Sequence, residues 1–252
     1  MSSLTAPSDQ ELREVAQRLS GAAPEQILTW AYARFTRIAI VASFQAESVA
    51  LIDMACDISD QVEVVTLDTG RLPQETYDLI DTVKERYPIT IHVVCPNPSD
   101  VAEMVDRNGV NLFYRSPQLR LLCCQVRKGR PLERALAGFD AWITGLRRQQ
   151  AKTRSDTPVA SLDPRQMGLA KVAPLAGWTT EQVWAYLQRR QIPVHELYQH
   201  GYTSIGCAPC TRATRPGEDP RAGRWWWEQD AVKECGLHWP TPDGIPEGSD
   251  SK

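Results

Sequence analysis

The sequence predicts an α/β fold, a parallel twisted sheet with helices on both faces. Over about the first 190 residues, short apolar segments of strand length alternate with segments of helical periodicity. This alternation is typical of parallel strands joined by crossover helices. Polar turns directly follow three of the predicted strands, and the 252 residues are 42% hydrophobic, which is enough for a large buried core.

The predicted elements follow in order along the chain. Ser8 and Glu11 form a capping signature for a helix that ends near residue 20, and Thr179 with Gln182 caps the last helix. The strands are predicted at 38–42, 62–67, 89–94 and 141–144. The other helices are predicted at 24–35, from the turn at 43–48 to residue 56, at 74–87, 100–108 and 124–136, with Pro131 able to break the last of these.

Polar turns at 43–48, 68–72 and 145–148 each follow a predicted strand. The carboxyl ends of parallel strands share one edge of the sheet, and ligands bind there, so we expect the three turns to line one crevice. Periodicity fades after about residue 201. We therefore predict an α/β domain over 1–200 and a separate C-terminal segment over 201–252, whose Pro/Gly/Ser-rich ending we expect to be mobile.

Charge is concentrated in one part of the sequence. Ten basic residues lie between Arg115 and Arg154, and only two acidic residues oppose them, so this segment carries +8 in a chain of net charge -3. A basic block in an acidic protein favours a local anion site over a nucleic-acid surface, which would need a high overall charge. The alternative is a solvated face rich in arginine, and charge alone does not separate the two.

Two features of the sequence predict a cytoplasmic protein. No apolar run approaches the ~20 residues of a membrane span. The first ten residues have neither a basic start nor a long apolar stretch, so no signal peptide is expected. The seven cysteines are an odd number, which argues against a disulfide framework.

Four of these cysteines form two groups, the adjacent Cys123 and Cys124 and a CxxC motif at Cys207 and Cys210. Four thiolates can hold zinc or an iron–sulfur cluster. Adjacent cysteines point apart unless the backbone bends, and a cluster accepts that arrangement more readily than a small ion. We therefore favour iron–sulfur over zinc. The alternative is a redox CxxC beside two unrelated thiols, although this CxxC lacks the preceding strand and following helix of a thioredoxin motif.

The other cysteines are interpreted singly. Cys56 and Cys95 lie in apolar stretches and are predicted to be small buried side chains. Cys235 precedes a Pro/Gly-rich ending, which is a good place to present a reactive thiol.

Cationic side chains accompany the cysteine groups. Lys128 lies about one helical turn after Cys124, so it can reach from a bound cluster towards an anion. Arg221 and Arg224 are close in sequence, and a planar guanidinium suits phosphate or sulfate. The tryptophan run at 225–227 is more simply explained by packing than by base stacking.

Six segments together are highly specific: SFQAE at 43–47, LDTGRL at 67–72, CCQVRK at 123–128, TGLRR at 144–148, GYTSIGCAPC at 201–210 and ECGLH at 234–238. In these segments the chain resembles the assimilatory adenylyl-sulfate and phosphoadenylyl-sulfate reductases, from about residue 24 to His238. The resemblance implies an adenine nucleotide α-hydrolase-like fold, with nucleotide binding by the domain at 1–200.

The resemblance implies reduction of adenylyl sulfate to sulfite and AMP, in sulfate assimilation towards cysteine synthesis. Cys235 matches the family's nucleophile, which forms an S-sulfocysteine that thioredoxin then attacks to release sulfite. Members with four cluster cysteines carry a [4Fe–4S] cluster, one per chain, and prefer adenylyl sulfate, whereas members without them use the 3′-phosphorylated substrate. A homo-oligomer is implied, with no nucleic-acid or membrane partner.

The resemblance also assigns site residues. The implied cluster ligands are Cys123, Cys124, Cys207 and Cys210. The implied contacts to the adenosine are the turn at 43–47, which begins with Ser43, together with Leu67 and Gly145. The implied contacts to the anionic groups or the reacting thiol are Lys128, Arg147, Arg154, Arg221, Arg224 and His238. Gln45 stands where many relatives carry glycine, so we place the anionic end on the basic side chains rather than on that turn. Which of Arg147, Arg148 and Arg154 faces the substrate stays open.

Three alternatives remain at this point. The same chemistry on phosphoadenylyl sulfate, or on both substrates, differs by the recognition of one phosphate. An ATP-pyrophosphatase-type adenylating enzyme would need a glycine-rich loop after the first strand, and 43–48 contains no glycine. A zinc-stabilised binding module would make Cys235 incidental.

Overall fold

The sheet contains six strands in the order β3-β2-β1-β4-β6-β5 in the computed structural model, which describes residues 6–166, 168–228 and 234. The strands are β1 Ile38–Val41, β2 Glu63–Leu67, β3 Thr90–Val94, β4 Ala141–Ile143, β5 Ala160–Asp163 and β6 Leu169–Val172. All neighbouring strands are parallel except β5, which pairs antiparallel with β6. The predicted parallel sheet is therefore confirmed with one antiparallel edge strand added.

Helices connect these strands. They are α1 Asp9–Arg18, α2 Pro24–Arg34, α3 Ala46–Cys56, α4 Gln74–Arg86, α5 Pro98–Asn108, α6 Pro117–Cys124, α7 Arg130–Leu136 and α8 Thr180–Arg189. The capping predictions hold, since the Ser8 hydroxyl accepts the Glu11 backbone N–H and both halves of the capping box at Thr179 and Gln182 are present. No helix in the described ranges has the length and apolar character of a membrane span.

Successive residues of β1 pack on opposite faces of the sheet, as a pleated strand requires. Ile38 and Ile40 belong to the main core together with residues of α1, α2, α3 and α8. Ala39 packs on the other face, in a cluster with Leu132 and Leu136 of α7. Both faces of the sheet are thus covered by helices.

The prediction for 124–136 was wrong in its start and in its break. The helical stretch begins earlier, at Pro117, where the Ser116 side chain accepts the Leu119 N–H as an N-cap. It continues through a π-helical turn, Gln125–Gly129, into α7. Pro131 causes no break, and it is the second residue of α7, which directly follows the π-helical turn.

The cysteines outside the two groups are less buried than predicted. Cys56 is half-buried, and Cys95 is exposed. The prediction for Cys95 was wrong because β3, which it follows, is one of the two edge strands of the described sheet and has three exposed residues out of five.

A second, smaller core joins the C-terminal segment to α5 and α6. It contains Met104, Leu112, Phe113, Cys123, Val126, Cys207, Cys210 and Trp225. The CxxC segment and the tryptophan run thus pack directly against the helix that carries the first cysteine pair.

Candidate active site

A cavity of about 530 Å³ opens at the carboxyl ends of the parallel strands. Val41 of β1, Leu67 of β2 and Thr144 after β4 line it. The C-terminal segment contributes residues 202–206, Pro220, Arg221, Arg224 and Trp225 to the lining. The crevice predicted from the three strand-end turns is therefore present, and the C-terminal segment forms part of it.

Eight of the residues singled out from the sequence line this cavity: Ser43, Leu67, Lys128, Gly145, Arg147, Arg154, Arg221 and Arg224. Cys235 and His238 lie outside the described residues. Among the described residues, five basic side chains contribute to the lining and a single acidic one, Glu47. Such a cavity favours an anionic ligand.

The turn after β1 has a constrained backbone. Phe44 is fully buried and has φ +54°, a left-handed conformation that is uncommon for residues other than glycine. Next to it, the Gln45 side chain donates to the Ser43 hydroxyl (3.1 Å) and accepts the backbone N–H of Ile205 (2.8 Å). Gln45 therefore ties the first turn to the C-terminal segment, a role that the sequence did not reveal.

Arg147 has partners within the protein. Its guanidinium donates to Glu47 at 2.8–2.9 Å and to the carbonyl of Trp178 at 3.1 Å. Gly145 packs against the same glutamate, because a Cβ added there would lie 2.8 Å from the Glu47 Cβ. Packing against α3 thus gives Gly145 a structural reason to be glycine. Sequence reasoning placed Glu47 in the turn at 43–47 but did not predict its pairing with Arg147, which lies 100 residues away.

Arg154 and Arg221 share one carboxylate, that of Glu234. Arg154 donates to both of its oxygens, at 3.0 and 2.7 Å, and Arg221 donates at 3.4 Å. Burial alone would raise the pKa of Glu234, but the hydrogen bond from Arg154 and the charge of Arg221 bring that pKa below its ordinary value. The carboxylate is therefore ionised, and it holds two of the cations that line the cavity.

Arg148 and Arg224 are placed differently. Arg148 is not among the lining residues, and its Nε donates to the carbonyl of Thr157 at 3.0 Å. Arg224 lines the cavity, donates to the carbonyl of Ile205 at 2.7 Å and packs over the Trp225 ring. Of the three arginines left open by the sequence, only Arg147 and Arg154 reach the cavity wall.

All four grouped cysteines line a second, much smaller cavity of about 20 Å³. Cys123, Cys207 and Cys210 are buried, and Cys124 is partly exposed. The hydroxyl of Thr69 lies 3.2 Å from the sulfur of Cys207. Within the described ranges, no three His, Cys, Asp or Glu side chains converge as ligands of a single ion.

The thiols in this small cavity influence each other. Burial raises the pKa of Cys123, and burial together with the neighbouring Cys207 raises the pKa of Cys210 to about 12. The charges of Arg127 at Cys123, and of Arg224 and Lys128 at Cys210, oppose this rise. Thiolates here would need bound metal to neutralise them, and the donor set of four thiols fits such a group.

Lys128 lines both cavities. It lies in the π-helical turn, a local distortion that is frequent at functional sites. It therefore lies between the cysteines and the large cavity, and its contact with an anion stays a prediction.

The tryptophan run packs beside the cysteines. Trp225 is fully buried, whereas Trp226 is exposed. The Trp227 ring contacts those of Phe113 and Tyr114, with centroids 6.3 and 4.4 Å apart. These contacts agree with the packing interpretation.

Comparison with known proteins gives a consistent result. Residues 37–213 match the family model described as the phosphoadenosine phosphosulfate reductase domain. Adenosine 5′-phosphosulfate reductase of Allochromatium vinosum is 45% identical over 86% of this chain and 84% of its own length. The enzyme of that name from Agrobacterium fabrum is 51% identical over 70% of this chain and 68% of its own length. The chloroplastic 5′-adenylylsulfate reductase 3 of Arabidopsis thaliana is 43% identical, and the match covers 51% of that relative.

Solved structures agree on the fold. The crystal structure of phosphoadenylyl-sulfate reductase from Candida auris, a phosphate complex, superposes with a TM-score of 0.71 and 27% identity, over 83% of this chain and all of that one. FMN adenylyltransferase of Candida glabrata gives a TM-score of 0.56 at 14% identity, covering 95% of this chain and 82% of that one, a likeness of fold alone.

Proposed function

The chain belongs to the phosphoadenosine phosphosulfate reductase family, and from this premise we propose that it reduces adenylyl sulfate to sulfite and AMP in sulfate assimilation. The relatives at 42–51% identity are named for adenylyl-sulfate reduction. One structural observation carries the proposal further: Lys128 joins a cation-lined cavity at the strand ends to a cavity lined by four cysteines.

The cavity lining contains residues suited to the adenosine and residues suited to the anionic groups of the substrate. Leu67, Gly145 and the turn beginning at Ser43 lie at the strand ends and would hold the adenosine. Lys128, Arg154, Arg221 and Arg224 would bind the phosphate and sulfate, because guanidinium groups donate paired hydrogen bonds to oxyanions. Arg147 would act through Glu47, by fixing the start of α3 beneath the adenosine.

Cys235 would be the nucleophile. Its thiolate attacks the sulfur of the sulfate group, a sulfur–sulfur bond forms, and the bond from that sulfur to the phosphate oxygen breaks. AMP leaves with the electron pair of that bond, and the enzyme holds an S-sulfocysteine. His238 and the arginines would favour the thiolate form of Cys235.

Reduced thioredoxin would complete the reaction. One of its thiolates attacks the Cys235 sulfur, and sulfite leaves as the mixed disulfide forms. The second thioredoxin thiol resolves that disulfide and regenerates the Cys235 thiol. Both electrons thus come from the thioredoxin dithiol.

Cys123, Cys124, Cys207 and Cys210 would hold a [4Fe–4S] cluster, one per chain. When bound, the cluster supplies a fixed charge beside the site and is no electron carrier in the overall reaction. Lys128 would stand between the thiolates and the substrate anion. A thioredoxin reductant and reduced thiols suit a cytoplasmic enzyme, and we retain the expectation of a homo-oligomer.

Phosphoadenylyl sulfate is the alternative substrate, since the structural relative of 27% identity is named for it. The two substrates differ by a 3′-phosphate, so comparing kcat/KM for them decides between them. A preference for the phosphorylated form would overturn the substrate assignment and leave the chemistry unchanged.

The first test is anaerobic iron and sulfide analysis with a visible spectrum, followed by addition of adenylyl sulfate and reduced thioredoxin. We expect a brown protein with a broad band near ~400 nm, typical of cysteine-ligated clusters, that releases sulfite. Cys235→Ser should stop sulfite release and keep the colour. Colourless protein with stoichiometric zinc that leaves adenylyl sulfate intact would replace the proposal with a zinc-stabilised binding module.

A further inference from the structure

Glu234 is a buried acid that the reaction outlined above does not use. Its side chain is 2% exposed, and besides Arg154 and Arg221 it accepts a hydrogen bond from the Thr153 hydroxyl at 2.8 Å. Arg154 and Arg221 line the large cavity, whereas Glu234 does not. The carboxylate therefore forms ion pairs with the two guanidiniums without itself lining the cavity.

The backbone of Glu234 is attached separately. Its carbonyl accepts a hydrogen bond from Arg120 of α6 at 3.1 Å. Arg120 is itself held by the Glu228 carboxylate, at 2.6 and 3.1 Å, and lies over the Trp225 ring. This anchor is rigid, since both side chains of the Arg120–Glu228 pair are at most 2% exposed.

Charge explains why this arrangement leaves the arginines able to bind an anion. Two guanidiniums share one carboxylate, so the group of three carries net positive charge at the cavity wall. The shared carboxylate also restricts the two long side chains, which lowers the entropy lost when they bind a ligand.

We propose that Glu234 is a positioning residue: it orients Arg154 and Arg221 towards the sulfate of the substrate. This inference rests on the proposed function and adds a residue that shapes its anion subsite.

The test is single-turnover formation of S-sulfocysteine by the full chain without reductant, over a range of adenylyl sulfate concentrations. Glu234→Gln keeps the size of the side chain and removes its charge. We expect the rate at low substrate to fall roughly tenfold or more, with a lower limiting rate as well as weaker binding, as for a lost transition-state contact. The cluster spectrum and the melting temperature should change little.

Thr153→Ala provides a second variant, because Thr153 is exposed and its hydroxyl contributes one hydrogen bond to the Glu234 carboxylate. It should give the same kind of loss at smaller size, even if Glu234→Gln proves unstable. Glu218→Gln is the matched control: Glu218 pairs with Arg212 in the same segment, and neither lines the cavity. Its rate should stay near that of the wild type.

A double-mutant cycle identifies the route of the effect. If Glu234 acts through Arg154, then Glu234→Gln should cost less in an Arg154→Ala background than in the wild type. Tighter substrate binding by Glu234→Gln would overturn the inference, since the carboxylate would then be a competitor of the substrate. Wild-type kinetics in Glu234→Gln and Thr153→Ala would overturn it too. A wild-type protein that forms no S-sulfocysteine would instead contradict the proposed function.

Discussion

The core beneath the sheet and the core around the cysteines are held together in different ways. The main core contains fully buried aliphatic residues such as Leu28, Ile40 and Leu51. The second core mixes apolar side chains with three cysteines and lies against the buried Arg120–Glu228 ion pair. The stability of the main core therefore comes from burial of apolar surface. The stability of the second core also depends on charged side chains and on what the cysteines bind. Substitutions in the main core should therefore lower stability and leave substrate binding unchanged, whereas substitutions around the cysteines should affect activity as well.

The largest effect is expected from Cys210→Ser. If the proposed cluster is held by the four cysteines, it would lose one of its thiol ligands, and metal-binding free energy contributes to folding where the ligands come from separate segments. The variant should lose iron and sulfite release while the main core stays folded. Iron content and far-UV circular dichroism check this, with Cys56→Ser, beside the main core, as control. Full iron content in Cys210→Ser would exclude that cysteine as a ligand.

Arg120→Ala should be the most destabilising of the variants outside the ligand set. It leaves the Glu228 carboxylate buried and unpaired, which costs about 3–5 kcal/mol for such pairs. Urea unfolding measures the change. Arg13→Ala, which breaks the exposed pair with Asp9, should alter stability little. Equal effects of the two substitutions would refute the anchoring role of Arg120.

Leu28→Ala addresses the other side of the comparison. Leu28 of α2 is fully buried in the main core, and truncation of such a leucine costs about 2–5 kcal/mol. Because Leu28 does not line the cavity, KM for adenylyl sulfate should stay near the wild-type value at temperatures where the variant is folded. A large rise in KM would show that packing in the main core affects substrate binding in the cavity.

The smallest effect is a dependence of stability on pH. Burial lowers the pKa of His195, against the charges of Glu75 and Glu196, and its Nε2 lies 2.9 Å from the Thr76 hydroxyl. The unfolded chain therefore binds this proton first as the pH falls below about 6.5. Stability should decline by up to about 1.4 kcal/mol per pH unit from there, and level off below the folded pKa.

His195→Asn is the matched variant for this pH effect. It cannot titrate and keeps an acceptor near the Leu197 N–H. Urea unfolding between pH 5 and pH 8 should therefore show a shallower slope for this variant than for the wild type. Parallel slopes would assign the pH dependence to other groups.

The sequence predicted those parts of the molecule whose signals are local. Strands β1 and β2 are short apolar runs, and the turns after them lie at one edge as parallel strands require. Strands β5 and β6 were missed because polar side chains lie among their few apolar residues, unlike the apolar runs of β1 and β4. The start of α6 was missed although Ser116 followed by Pro117 is a sequence signal for a helix N-terminus.

The prediction of the site shows the same contrast between local sequence signals and tertiary packing. The quoted motifs contain both acids, Glu47 and Glu234, but no motif indicates which arginine each of them pairs with. Glu47 lies 100 residues from Arg147, and Glu234 lies 80 residues from Arg154. Such pairings are set by tertiary packing, for which a single sequence carries no spacing signal.

The π-helical turn at Gln125–Gly129 has a consequence for the long helical stretch that contains it. The N–H of Arg130 bonds to the carbonyl of Gln125, five residues back, so the turn holds one residue more than an α-helical turn. One extra residue changes the angular phase of everything after it by about 100°. That offset lets a single stretch of helix direct Cys123 into the second core and Leu136 onto the sheet. Deleting one residue there would bring both halves into a common phase, and one of the two faces would lose its contacts.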